Sequence, residues 1–549
     1  MTQSTAPGGV RSTPIGSVLL ALALLAQDAR VTTAQSAPPR VIADGETFVG
    51  VLQRAPVATS VFRGIPYAAA PVGDRRWKPP MRRTAVRGVQ QATEFGSACM
   101  QDDAESRWVS QIYSTFGHAG SAPTVDLRPS EDCLFLNVWS ASVGDRQPLR
   151  PVMVWIHGGS NVMGSGRSSW YDGTHLAQNG VVVVTINYRL GLYGFFTHPA
   201  LSAESPHGSS GNYGLLDQLE ALRWVQRNIA QFGGDPTRVT VFGESAGAID
   251  ILHLLTSPLS EGLFHRAIVQ SGTVFGGVPR RVQAERGGVA LASALGIADS
   301  TSNIAALRAV PASRLTATLR DVVGVSLGPV VDGWVLPDVT GRALEQSRTV
   351  RVPLLIGSNA REMTTLRTLL PRFDRTVEGY RKYLQTMGLF AGAIEKQYPV
   401  TSDAAVEPAL IDLFTDFVFT CSARFAARAM VSAGAPAWQY AFTRVYPKGE
   451  TLGAYHGMEI TYAFGVIDPL LPRTDVDARL SNSMMRYWTR FAATGDPNGD
   501  GLPAWPTYRK ETDVHLDLGD DVRTGSGRKA EACAIADMAN RVQWGAPTK

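Results

Sequence analysis

Apolar residues along this chain come in short, unbroken runs rather than in alternation with polar ones. Pro151–His157 (PVMVWIH), Val181–Tyr188 (VVVVTINY), Arg238–Phe242 (RVTVF), Ala267–Gln270 (AIVQ), Val352–Ile356 (VPLLI) and Ala437–Phe442 (AWQYAF) each end in a Gly-rich or polar turn. Runs without a polar residue at every second position describe strands covered on both faces. Between them lie helical patterns. The clearest runs from Gly214 to Phe232, with Leu215, Leu219, Leu222, Val225 and Ile229 on one stripe and Gly233 placed to end it. Strand and helix in alternation predict an α/β fold, a large and mostly parallel central sheet with helices on both faces. No repeat or low-complexity linker divides the chain after residue 40, so residues 35–549 are expected to form a single domain. In such a sheet the chemistry is expected at the carboxyl ends of the strands.

The N-terminus departs from this pattern. Ile15–Ala26 (IGSVLLALALLA) is apolar throughout, follows Arg11, and precedes the small-residue segment Val31-Thr32-Thr33-Ala34. A spanning helix needs about twenty residues, more than this stretch supplies. A positive flank, a short apolar core and small residues predict a signal peptide over residues 1–34, cleaved after Ala34. The mature chain would then keep no stable membrane anchor and would be secreted or periplasmic.

Charge changes the picture by exclusion. There are 52 Lys and Arg against 48 Asp and Glu, a net of +4 spread over 549 residues, with no dense basic block. Nucleic-acid binding has no electrostatic footprint here. Cys99, Cys133, Cys421 and Cys533 contain no C-x-x-C pair, which argues against zinc. In an exported chain they would pair. Three pairings are possible, of which sequence proximity favours Cys99–Cys133, leaving Cys421–Cys533; in a cytosolic chain four buried thiols would be expected instead. Asp496–Gly501 imitates the start of a calcium loop, but Thr507 stands where the closing Glu belongs, and Pro503 and Pro506 forbid the following helix. A turn is expected there, and no metal.

After the run Arg238–Phe242 comes Gly243-Glu244-Ser245-Ala246-Gly247, then the apolar stretch Ala248–Leu255. In a chain with 54 Gly the G-x-S-x-G pattern alone is weak. A strand directly before it and a helix former directly after make it the turn that lifts a serine hydroxyl above a sheet. Ser245 is therefore the candidate nucleophile. A hydroxyl needs a base, and His456 sits in a loop-like segment, Gly453–Glu459, after the run Ala437–Phe442. The base needs an acid, and Glu362 follows the run Val352–Ile356. Ser245, Glu362, His456 is the chain order of α/β-hydrolases. Negative charge on a tetrahedral intermediate needs backbone donors: the N–H of Ala246, and the Gly158-Gly159-Ser160 loop after the run Pro151–His157.

These residues resemble a known family, the type-B carboxylesterases, which include cholinesterases and microbial esterases. The matching segments span almost the whole mature chain: Phe62–Ala68 (FRGIPYA), Ser130–Val138 (SEDCLFLNV), His157–Ser160, Asn187–Gly191 (NYRLG), Gly211–Gln218 (GNYGLLDQ), Phe232–Pro236 (FGGDP), Gly243–Gly247, Pro329–Gly333 (PVVDG) and Gly495–Asn498 (GDPN). The resemblance implies an α/β-hydrolase fold, Ser245 as nucleophile, His456 as base and Glu362 as acid. It implies oxyanion donors at Gly159, Ser160 and Ala246, with Gly158 shaping the loop, although Gly or Ala is more usual where Ser160 stands. It also implies a supporting carboxylate at Glu244 and the disulfides Cys99–Cys133 and Cys421–Cys533.

The activity expected is hydrolysis of small carboxylic esters through an acyl-enzyme, without a cofactor. Alternatives are a lipase or amidase of the same fold, or a binding protein that has lost catalysis, as some relatives have; this chain keeps all three members of the triad. The stretch Ala119–Pro129 has no aromatic residue where cholinesterases carry their choline-binding Trp, and Trp108 is distant in sequence, which argues against a choline ester. Arg361 and Arg367 beside Glu362 raise the prospect of a basic rim selecting anionic esters, against the plainer reading of solvated arginines. The acyl and alcohol pockets are expected from Gln101–Arg128 and Asp374–Ile411.

Overall fold

The six apolar runs all become strands of one eleven-stranded sheet. The computed structural model describes residues 37–54, 57–120, 127–144, 148–297 and 303–545. In chain order the strands are β1 (Val51–Gln53), β2 (Thr59–Pro66), β3 (Phe135–Ser140), β4 (Arg150–Ile156), β5 (Val182–Ile186), β6 (Gly234–Glu244), β7 (Arg266–Gln270), β8 (Leu354–Asn359), β9 (Ala437–Phe442), β10 (Val514–Leu518) and β11 (Val522–Ser526). Their spatial order is β11-β10-β9-β8-β7-β6-β4-β5-β3-β2-β1. From β5 through β10 neighbouring strands are parallel; the pairings at both edges are antiparallel. This is the α/β-hydrolase fold, with a mostly parallel sheet.

The lack of alternation in the runs has a visible cause. Val152, Val154 and Ile156 of β4 enter one apolar cluster, while Met153 and Trp155 of the same strand enter another on the opposite face. The first face is covered by helices α2 (Tyr213–Asn228), α3 (Ala246–Thr256) and α4 (Cys421–Ser432), the second by α5 (Asp475–Thr494). Each β4 residue from Pro151 to Ile156 is buried, so no position tolerates a polar group. The stripe Leu215, Leu219, Leu222 and Val225 lies on α2, and the chain tightens into a 3₁₀ turn at Ile229–Phe232 before Gly233, at φ 81°, ends it.

Five strands went unread in the sequence, the antiparallel β1, β2, β3 and β11 together with β10. β2, β3 and β10 carry polar residues within largely buried strands, and the outermost strands β1 and β11 are not buried. A separate small sheet joins Arg40–Ala43, Glu46–Val49 and Val89–Gln91. Asp374–Ile411 forms short helices around an apolar cluster of their own. Cys99–Cys133 and Cys421–Cys533 are both bonded, the second joining α4 to the C-terminal helix α6 (Ala530–Trp544). At Asp496–Asn498 the Asn498 N–H donates to Oδ1 of Asp496, a plain turn. Contacts group Pro38–Lys549 as one unit. The expected signal peptide falls outside the described residues; no helix among those described is long and apolar enough to cross a membrane.

Candidate active site

Strand β6 lies between β4 and β7, with Gly243 beside Ile156 on one side and Val269 on the other. The chain must turn from this strand into α3 within one residue. Ser245 takes that turn at φ 53° and ψ −122°, a strained conformation for a residue with a side chain. Its N–H donates to Gln270 O at 2.9 Å, and its carbonyl accepts from Ile249 N, so both neighbouring elements hold it there. The flanking glycines are steric requirements. A Cβ on Gly243 would lie 2.6 Å from Ile156 O, and one on Gly247 only 2.0 Å from the same oxygen. Glu244 and Ala246 are buried, whereas Ser245 remains partly exposed.

Glu362 is fully buried just beyond β8. Its Oε1 accepts from Asn359 N at 2.6 Å and from Ser271 Oγ at 2.7 Å, and its Oε2 lies 2.6 Å from Nδ1 of His456. Three donors thus fix the carboxylate, and the carboxylate fixes the imidazole. The ring also packs against Phe419, with centroids 5.2 Å apart. His456 Nε2 lies 3.1 Å from Oε1 of Glu244, not on the Ser245 hydroxyl, which has no hydrogen-bond partner among the described residues. Ser245 and His456 nevertheless line the same cavity.

The electrostatics follow from burial and crowding. Burial favours the neutral imidazole, but the nearby carboxylates of Glu244 and Glu362 outweigh it and hold His456 up at about 9. Burial pushes the Glu244 carboxyl up to about 8; His456 opposes the rise, and Glu459 and Glu362 add to it. Glu459 is a third buried carboxyl, raised by burial to about 7 and held by Asn359 and Gln270 side-chain amides. The sequence reading gave it no role. Its place three residues after His456, at the end of the Gly453–Glu459 segment, is the signal the sequence offers for it.

The Gly158–Ser160 loop leaves the end of β4 and faces the same cavity. Gly159 has φ 102°, and a Cβ there would sit 2.2 Å from Met163 O. Its carbonyl accepts from the Val162 and Met163 amides, closing the turn. A Cβ at Gly158 would lie 3.1 Å from Cβ of Ser245, so this position must stay bare for the serine to stand free. The N–H groups of Gly159, Ser160 and Ala246 have no protein acceptor among the described residues. They are donors available to a ligand.

The cavity is lined by Trp108, Trp170, Tyr171, Met163, Leu366 and Ile460 together with Glu105 and the groups above. Two sequence expectations change here. Trp108, distant in sequence from the position examined for a choline-binding Trp, reaches the cavity because it lies on α1 (Ala104–Thr115), inside the Cys99–Cys133 loop, where it packs edge-to-face on Trp170. Neither arginine lines the cavity: Arg361 pairs with Asp412 and Arg367 with Glu407. The wall carries an acidic residue instead, Glu105. Among the described residues the Glu105 carboxyl has no ion-pair or hydrogen-bond partner, and burial pushes it up to about 7. Gln101–Arg128 therefore does build the wall, whereas Asp374–Ile411 supplies none of the lining residues. Among the described residues no cluster of His, Cys, Asp or Glu is arranged to hold a metal ion.

Residues 49–536 match the model of the carboxylesterase family. The fumonisin B1 esterase of Sphingopyxis macrogoltabida is 37% identical over 522 residues, covering 92% of this chain and 91% of that protein. Carboxylesterase 1C of Mus musculus is 36% identical, covering 87% of this chain and 88% of its own. A solved structure titled PNB esterase superposes with a TM-score of 0.78 at 30% identity, over 91% of this chain and 99% of that one.

Proposed function

The chain belongs to the carboxylesterase family and is a carboxylic ester hydrolase, and on that premise we propose that Ser245, His456 and Glu362 are its catalytic triad. The observation that carries the assignment is a single cavity shared by a strained, accessible serine and an imidazole anchored on a buried glutamate.

Ser245 and His456 line the same cavity, and in the reacting arrangement Nε2 leaves the Glu244 carboxylate for the Ser245 hydroxyl. Neutral His456 then takes the Ser245 proton while Oγ bonds to the ester carbonyl carbon. The resulting oxyanion is held by the free N–H groups of Gly159, Ser160 and Ala246. The carbon–alkoxide bond breaks, and the alcohol leaves with the proton from His456. Water enters, loses its proton to His456 and attacks the acyl-enzyme, and collapse releases the acid and restores Ser245. Glu362 keeps Nδ1 protonated throughout and stabilises the imidazolium.

The apolar and aromatic lining, with acidic groups and no Lys or Arg, favours neutral or cationic esters over anionic ones. Residues 1–34 read as an export signal, and two bonded disulfides support a secreted or periplasmic location. The test is pre-steady-state hydrolysis of p-nitrophenyl acetate: a stoichiometric burst of p-nitrophenol in the wild type and none in Ser245→Ala. A burst that survives the substitution overturns the assignment. Activity confined to long emulsified esters would make the protein a lipase, and faster cleavage of matched amides an amidase.

A further inference from the structure

Asp250 and Asn161 form a contact that the proposed reaction does not use. Asp250 lies on α3, whose first residue is Ala246, and is completely buried. Its Oδ1 accepts from Asn161 Nδ2 at 3.1 Å, and its Oδ2 accepts from Gln218 Nε2 at 2.6 Å. Asn161 directly follows the Gly158–Ser160 loop. Three successive residues there have positive φ: Gly159 at 102°, Ser160 at 54° and Asn161 at 59°. Two of them carry side chains, so the loop holds its shape only if its surroundings impose it. The Val162 and Met163 amides hold it from within at Gly159 O, and two bonds at Asn161 tie it to other elements. One is Gly191 N to Asn161 O at 2.6 Å; the other is the Asn161–Asp250 contact.

A packing role does not account for the carboxyl group. Among the described residues Asp250 has no ion-pair partner, and burying an unpaired acid is costly where a neutral side chain would fill the space. Burial pushes its carboxyl up to about 7, against the pull of the Gln218 and Asn161 amides. What Asp250 does offer is a link between two otherwise separate elements. One end of the link is the helix whose first N–H, that of Ala246, is one oxyanion donor; the other is the loop that supplies Gly159 and Ser160.

We propose that Asp250, acting through Asn161, is a positioning residue that holds the two halves of the oxyanion hole at their working separation. The inference rests on the oxyanion assignment made above. Loss of the link lets the loop relax from its strained conformation, which weakens transition-state binding and leaves ground-state binding largely intact.

The experiment compares wild type, Asp250→Ala, Asn161→Gly, the double variant and Asp250→Asn. It measures kcat per active site titrated with an organophosphate, KM for p-nitrophenyl acetate, and affinity for an aryl trifluoromethyl ketone, which forms an oxyanion adduct on the serine. Glycine at 161 keeps the positive φ accessible, so its effect reports the lost side chain. Each single variant should lose roughly tenfold or more in kcat per titrated site and in ketone affinity, with KM within about threefold. The double variant should lose no more than the worse single, because both cut one link. Asp250→Asn should recover most of the loss: its amide oxygen accepts from Asn161, and Gln218 can present its Oε1, which has no partner in this structure, to the new NH₂. The proposal is overturned if kcat per titrated site and ketone affinity stay within twofold of wild type, or if the two losses multiply. Should Asp250→Ala not fold, Asn161→Gly and Asp250→Asn decide the matter alone. A wild type that binds no ketone would instead overturn the oxyanion assignment itself.

Discussion

His456 Nε2 lies 3.1 Å from Oε1 of Glu244, the residue immediately before the proposed nucleophile. The imidazole therefore rests between two carboxylates, Glu244 at one nitrogen and Glu362 at the other. Against the pull of burial, both stabilise the imidazolium, and the base can act only after that proton is lost. Activity should thus rise with pH, with kcat/KM for a non-ionising ester climbing through a limb near 9. In Glu244→Gln an anion beside the ring is gone, so the imidazole loses its proton more easily and the limb moves toward acid. A pH–rate profile of the two proteins checks the sign; an unmoved or alkaline-shifted limb refutes the account.

Glu362 is bound on both oxygens, by Ser271 and Asn359 on one and His456 on the other. An amide in its place must turn an NH₂ toward one of these donors. Glu362→Gln is expected to lower kcat by roughly 10³–10⁴-fold through the wrong imidazole tautomer, with KM little changed. Steady-state kinetics on p-nitrophenyl acetate measure both quantities.

Glu105 is a cavity-wall carboxyl without an ion-pair partner among the described residues. Among p-nitrophenyl esters matched in length, one with a terminal ammonium group should be preferred over its neutral isostere, and a terminal carboxylate disfavoured. Glu105→Gln should reduce the ammonium-to-neutral ratio of kcat/KM by about tenfold, as expected for one partly screened charge pair. Equal ratios in both proteins would show that Glu105 does not face the substrate.

Ser245 carries strain because φ is 53°. Glycine adopts this region without a steric cost, so Ser245→Gly should be more stable than Ser245→Ala by about 1 kcal/mol. Thermal or urea unfolding of the two inactive variants reads the difference directly.

The two disulfides should fail in different ways. Cys421–Cys533 closes a separation of 112 residues and ties α6 to α4. Its double Cys→Ser variant should lose about 4–5 kcal/mol on the chain-entropy model, seen as a lowered unfolding midpoint. Cys99–Cys133 encloses α1, which carries Glu105 and Trp108. Its removal should raise KM more than it lowers kcat.

The central sheet could be read from the chain alone, and so could the candidate groups of the site. Strands buried on both faces must be continuously apolar, and a one-residue strand-to-helix turn admits only small neighbours, so β4 to β9 and Gly243–Gly247 were legible without coordinates. His456 and Glu362 were legible because each follows such a strand. Only the tertiary structure decided what surrounds them. Trp108 and Glu105 reach the cavity through a helix inside a disulfide loop, and Asp250 meets Asn161 across 89 positions of chain. Arg361 and Arg367, adjacent in sequence to the site, turn instead to Asp412 and Glu407. The physical reason is common to these cases. Local pattern records which face of an element is buried, whereas a side chain's partner depends on how separate elements pack, which no single stretch of sequence encodes.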